Sequence, residues 1–74
     1  MTIETKYGEG DIVSLKADYP SLGFVMGDKG TIWAIYNLNR PMYEATFQSD
    51  VAEAFDMTVY ADEIELYKRA PRED

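Results

Sequence analysis

Asp62, Glu63 and Glu65 form the densest group of carboxylates in the chain. Paired carboxylates can serve as general acid and base, or hold a hard cation through oxygen. Neighbours on a strand point to opposite faces, so Asp62 and Glu63 would diverge there, and their spacing matches no calcium-binding loop. The chain contains no histidine and no cysteine. The usual zinc and iron ligand sets are therefore missing, and no serine or threonine has an imidazole base. Gly27-Asp28-Lys29-Gly30 lacks the Lys-Ser/Thr ending of a phosphate-binding loop. These residues predict no catalytic, cofactor or metal site and leave the three carboxylates on a solvated face, available to a partner.

The aromatic residues carry a stronger signal. Ten residues are Phe, Trp or Tyr, and Tyr7, Tyr19, Trp33, Tyr36, Tyr60 and Tyr67 exceed what one small core should hold. Trp33 and Tyr36 lie three apart, so on one strand they face opposite ways unless a bulge intervenes, and at least one is exposed. Exposed aromatics beside polar residues characterise protein-binding patches. The alternative is tyrosine bodies packed on the core with wet hydroxyls.

Fourteen acids against seven bases give a net charge of −7. That charge repels phosphate backbones and anionic membranes, excluding nucleic acid and membrane as partners, and it attracts a basic protein. It also keeps a small protein dispersed. No apolar run approaches the ~20 residues that span a bilayer, and Met1–Lys6 lacks the apolar stretch of a signal peptide. The expectation is a cytoplasmic protein.

The elements that position these residues are organised by Val25–Tyr36. Gly27 and Gly30 bracket Asp28 and Lys29 in what reads as a type I turn closed by a left-handed Gly30. The β-branched and aromatic run Thr31–Tyr36 then reads as the central strand. Before it, Gly8–Asp11 is a turn and Ile12–Ala17 alternates, with Val13, Leu15 and Ala17 inward and Ser14 and Lys16 wet. Pro20 breaks that strand, and Leu22 with Val25 or Met26 is expected to lid the core. After the central strand, Tyr43, Ala45 and Phe47 face inward from Met42–Gln48, with Glu44, Thr46 and Gln48 outward. Val51–Phe55 allows a single helical turn. Phe55, Met57 and Val59 form the inner set of the next strand. Ala61–Glu63 reads as a one-turn 3₁₀ connector, and Ile64 and Leu66 face in from the last strand. Residues 1–74 make one domain, with an ordered core over about 8–67 and a mobile charged tail at 68–74. A chain this short buries only roughly 60% of its unfolded surface. The fold class is all-β: five short antiparallel strands in a barrel or sandwich, closure removing exposed edges.

This order resembles a small SH3-like barrel. Gly10–Leu15 resembles its opening strand, Met26–Ile32 its diverging turn and second strand, Tyr43–Phe47 its third, and Ala61–Leu66 its one-turn helix and final strand. More narrowly, the series is similar to an uncharacterised bacterial family catalogued as domain of unknown function 4926. The resemblance covers roughly residues 10 to 67 and brings no assigned activity. Ala45 stands where that family usually carries a larger aliphatic residue. The aromatic opening motif of proline-peptide-binding signalling domains is absent. The resulting expectation is a small acidic protein-binding module that neutralises or recruits a basic partner, of immunity or antitoxin type, through Trp33, Tyr36, Asp62, Glu63 and Glu65. An accessory subunit of a larger enzyme complex and a peptide-recognition domain are the alternatives.

Overall fold

The computed structural model describes residues 7–36, 39–49 and 53–71. Its strands are β1 (Ile12–Leu15), β2 (Lys29–Tyr36), β3 (Met42–Gln48), β4 (Phe55–Tyr60) and β5 (Ile64–Lys68). They form one antiparallel sheet in the order β4-β3-β2-β1-β5. One-turn 3₁₀ segments occupy Pro20–Leu22 and Ala61–Glu63. The five antiparallel strands and the single turn before the last are as expected. The expected closure is not found, because β4 and β5 do not pair and the sheet keeps two edges. The amide of Tyr60, on the side of β4 away from β3, donates instead to Glu63 Oε1 at 2.8 Å. That bond caps the 3₁₀ turn where a β4–β5 ladder would begin.

The inner face follows the alternation of the strands. Val13, Leu15, Ile32, Tyr43, Ala45, Phe47, Met57, Val59 and Ile64 are buried there. Burying a side chain of this kind stabilises by roughly 1.5–3 kcal/mol, offset largely by chain entropy. Two further aromatics complete the core. Phe24 packs edge-on to Phe47 with centroids 6.3 Å apart, and Tyr7 does the same to Tyr43 at 5.4 Å. Phe24, rather than Leu22, Val25 or Met26, is thus the lid, and those three are exposed. Tyr19 and Phe24 exchange backbone hydrogen bonds of 2.8 and 3.2 Å around the Pro20–Leu22 turn. This narrow closure aims Phe24 inward and leaves the residues around it outside.

The turn into β2 also differs from expectation. Asp28 N–H donates to Val25 O at 3.1 Å, Asp28 Oδ2 accepts the Val25 N–H at 3.0 Å, and Gly27 has φ +94°. The left-handed residue is Gly27, and Gly30 lies within β2 opposite Phe47. Gly30 is needed for close approach: a Cβ there would stand 2.6 Å from the Phe47 ring.

Further corrections concern ends and edges. Ala17 is exposed, because β1 ends at Leu15 and Lys16 N–H turns to Glu63 O at 3.1 Å. Ser14 is buried rather than wet, lying mid-face between Lys29 of β2 and Glu65 of β5. Phe55 and Leu66 are both exposed, since each sits on an edge strand with a neighbour on one side only. Tyr7, just outside the expected 8–67 core, is buried in it. At the other end β5 runs on to Lys68, and Ala70 N–H donates to Asp11 Oδ1 at 2.8 Å. Met1–Lys6, residues 72–74 and, of the expected Val51–Phe55 turn, Val51 and Ala52 lie outside the described residues; Glu53 and Ala54 are in no helix, and Phe55 opens β4.

Asp11 is the one fully buried carboxylate among the described residues. Its oxygens also accept Gly8 N–H at 2.9 Å and face Arg69 Nη1 at 3.5 Å. It thereby ties the turn before β1 to the chain after β5. A buried charge is stable only when hydrogen-bonded and paired in this way.

Candidate partner-binding face

The face of the sheet away from the core carries the exposed aromatics. Between Ile32 and Ala34 the β2–β3 register shifts by one residue, and Trp33 is the extra one. The bulge lets Ile32 and Ile35 both lie on the core side, opposite Ala45 and Tyr43, although three apart in sequence. Trp33 and Tyr36 are consequently both turned outward, 48% and 41% exposed.

Tyr36 is tied to the face by its hydroxyl, which donates to Glu44 Oε1 on β3. That bond, helped by desolvation and the carboxylate's charge, raises the Tyr36 phenol above the ordinary tyrosine value. Along the sheet Tyr36 is opposite Met42, and Met42 opposite Tyr60. Adjacent strands lie about 4.8 Å apart, so Tyr36 and Tyr60 are separated by about 10 Å across Met42. The Arg40 guanidinium stacks 3.7 Å over the Tyr60 ring and gives Nη2 to both oxygens of Asp62 at 2.9 Å. Two rows higher, beyond the Glu44–Thr58 pair, Thr46 Oγ1 donates to Asp56 Oδ1 at 2.6 Å.

The three expected carboxylates therefore separate. Asp62 lies at the Tyr60 end of the row and is paired with Arg40. Glu63 is structural: Oε1 caps the Tyr60 amide, and Oε2 accepts the Tyr19 hydroxyl at 3.1 Å. Burial first, then this bond and the Glu63 charge, raise the Tyr19 phenol. Glu65 is exposed on β5 opposite Ser14, at the far side of the sheet from β4. Trp33, Tyr36 and Asp62 thus share one region, and Glu65 does not. Glu44 and Asp56, not singled out from sequence, stand among the aromatics in place of Glu63 and Glu65. Alternation already turned Glu44 outward, but only the strand order sets it beside Tyr36.

Charge is divided across this face. β3 and β4 contain Glu44 and Asp56 and no lysine or arginine, and β2 contains no charge beyond Lys29. The cations among the described residues are Lys16, Lys29, Lys68 and Arg69, all on or next to β1, the start of β2 or β5, and Arg40, held by Asp62. Near the β5 side the outer face has a shallow groove of about 300 Å³, where Lys29 Nζ sits 4.5 Å above the Tyr67 ring beside Ile12 and Thr31. Among the described residues no three His, Cys, Asp or Glu side chains gather as a metal site, and no helix is long and apolar enough to cross a membrane.

Comparison of the chain with protein-family models, with curated proteins and with solved structures finds no match in any of the three.

Proposed function

We propose that this chain is a small acidic protein-binding module whose partner is a basic protein, and that it works by covering that partner's basic surface as an immunity protein or antitoxin does. The observation carrying this reading is the outer face of β2, β3 and β4. There Trp33 and Tyr36 stand exposed on the same face as Glu44 and Asp56, while the described cations other than Arg40 lie toward β1 and β5, Lys29 among them at the start of β2. Exposed aromatics supply contact area at small entropic cost, and the carboxylates select and steer a cationic surface. The binding is cytoplasmic and excludes nucleic acid and membranes on charge. Kinship with the family catalogued as domain of unknown function 4926 belongs to the same reading and rests on the residues of Met26–Ile32 and Tyr43–Phe47.

A pull-down from the native cell, made in parallel with the wild type and a Trp33→Ala, Tyr36→Ala double variant, tests the proposal. The wild type is expected to retain a basic protein that is absent from the variant and released by salt. Equal retention by both proteins, or retention indifferent to salt, overturns it.

A further inference from the structure

We propose that the open edge of β4 takes up an extended basic segment of the partner as a sixth strand, with its Lys or Arg side chains on the side of Asp56 and its apolar side chains on the side of Phe55. The inference rests on the functional reading above and adds the mode of recognition.

The backbone is arranged for it. β4 pairs with β3 in one unbroken register, from Met42↔Tyr60 to Phe47↔Phe55. The Tyr60 amide is turned away from β3, toward Glu63. In an antiparallel pair the backbone groups of alternate residues point the same way, so the N–H and C=O of Thr58 and Asp56 also face away from β3. Among the described residues no strand pairs with β4 on that side. The Glu63 cap marks where an added strand must stop.

The side chains specify what the strand carries. Unpaired edges are ordinarily protected by lysine, proline or a bulge. β4 has none of these: its six residues include no Lys, Arg or Pro, and its register does not shift. On its outer side stand Asp56 and Thr58, with Glu44 directly across from Thr58. On its inner side Phe55 is 46% exposed next to buried Met57. A strand alternating basic and apolar residues matches both sides, charge to carboxylate and apolar group to the Phe55 ring. A second copy of this chain matches less well. It brings a further net charge of −7, and the formal charges of its own β3 and β4 are all negative.

The test uses the full chain, ¹⁵N-labelled, and an acetylated, amidated heptapeptide of alternating lysine and valine. On titration the amides of Asp56 and Thr58 should shift and exchange about tenfold more slowly. A glutamate-valine peptide should do neither. Asp56→Lys should lose the response through charge. Thr58→Pro should lose it by removing an edge-facing N–H that takes no part in the ladder with β3. Retention of the response in both variants overturns the proposal, as does no shift at any residue. Shifts confined to Trp33, Tyr36 and Glu44 overturn the strand mode while leaving the functional reading intact. Slowing of the Asp56 and Thr58 amides as protein concentration rises without peptide identifies the occupant as a second copy, and also overturns it.

Discussion

The sheet has two edges, and they are built differently. The β5 edge carries Lys68, its pairing with β1 shifts between Ile12 and Val13, and the chain beyond it is fastened through Ala70 and Arg69 to buried Asp11. The β4 edge is regular and free of cations, and among the described residues the hydrogen bond on its outward backbone is at its end, where Glu63 holds the Tyr60 amide. Shifts and lysines discourage added strands. The β5 edge is therefore consolidated by the fold, whereas the β4 edge is left accessible. The exposed aromatics and outward carboxylates of β2–β4 lie beside the accessible one. An 8.5 kDa chain has a small margin of stability, so the anchoring at one edge and its scarcity at the other are separable by substitution.

The largest effect is expected from Asp11→Ala, which strips the β5 side of its clamp and leaves the Gly8 and Ala70 amides without their acceptor. A loss of about 3 kcal/mol in chemical denaturation is expected, and an unchanged midpoint would show that the buried carboxylate does not consolidate that edge. Gly30→Val strikes between the two edges. The added carbons meet the Phe47 ring, and about 2 kcal/mol should be lost by overpacking. A Phe47→Leu background should recover part of that loss; strain at a left-handed glycine would not respond.

Glu63→Gln weakens the cap on the outward backbone at the end of β4. Loss of the charged acceptor for the Tyr60 amide and Tyr19 hydroxyl should cost about 1 kcal/mol, less than the Asp11 change. The same contact predicts an alkaline limb. Tyr19 binds its proton more tightly when folded than at its ordinary value of 10.0. Its contribution is complete below that value and is lost as pH rises through the raised one. Stability measured against pH should thus fall above about pH 10, and fall less steeply in Tyr19→Phe. The smallest effect belongs to Arg40→Ala, whose exposed pair with Asp62 should contribute under about 1 kcal/mol. It leaves Asp62 unpaired beside the β4 end and should strengthen capture of a basic partner.

What could be read from the residues alone was whatever depends on local alternation. Tyr43, Ala45 and Phe47 face inward on β3 as their period of two requires, and Ala61–Glu63 forms its single turn. What could not be read depends on partners distant in the chain. Asp11 resembles an ordinary turn residue until Ala70 is brought to it. Gly30 resembles a turn glycine until Phe47 is placed opposite. Phe55 and Leu66 hold inward positions but lie on edges, which sequence does not mark. The bulge at Trp33 is legible only as a condition: two aromatics three apart cannot face the same way without it. The candidate face was therefore half visible. Trp33, Tyr36 and Asp62 were identifiable by type, whereas Glu44 and Asp56 required the strand order.

Amide hydrogen exchange of the free, full-length chain tests most directly whether the sheet stays open at β4. Protection should alternate along the strand: the amides of Met57 and Val59 slow, bonded to β3, and those of Asp56 and Thr58 fast, facing solvent. Uniform protection from Asp56 through Val59, matched by slow exchange of partners on β5, would mean a closed barrel with no accessible edge and would contradict the account.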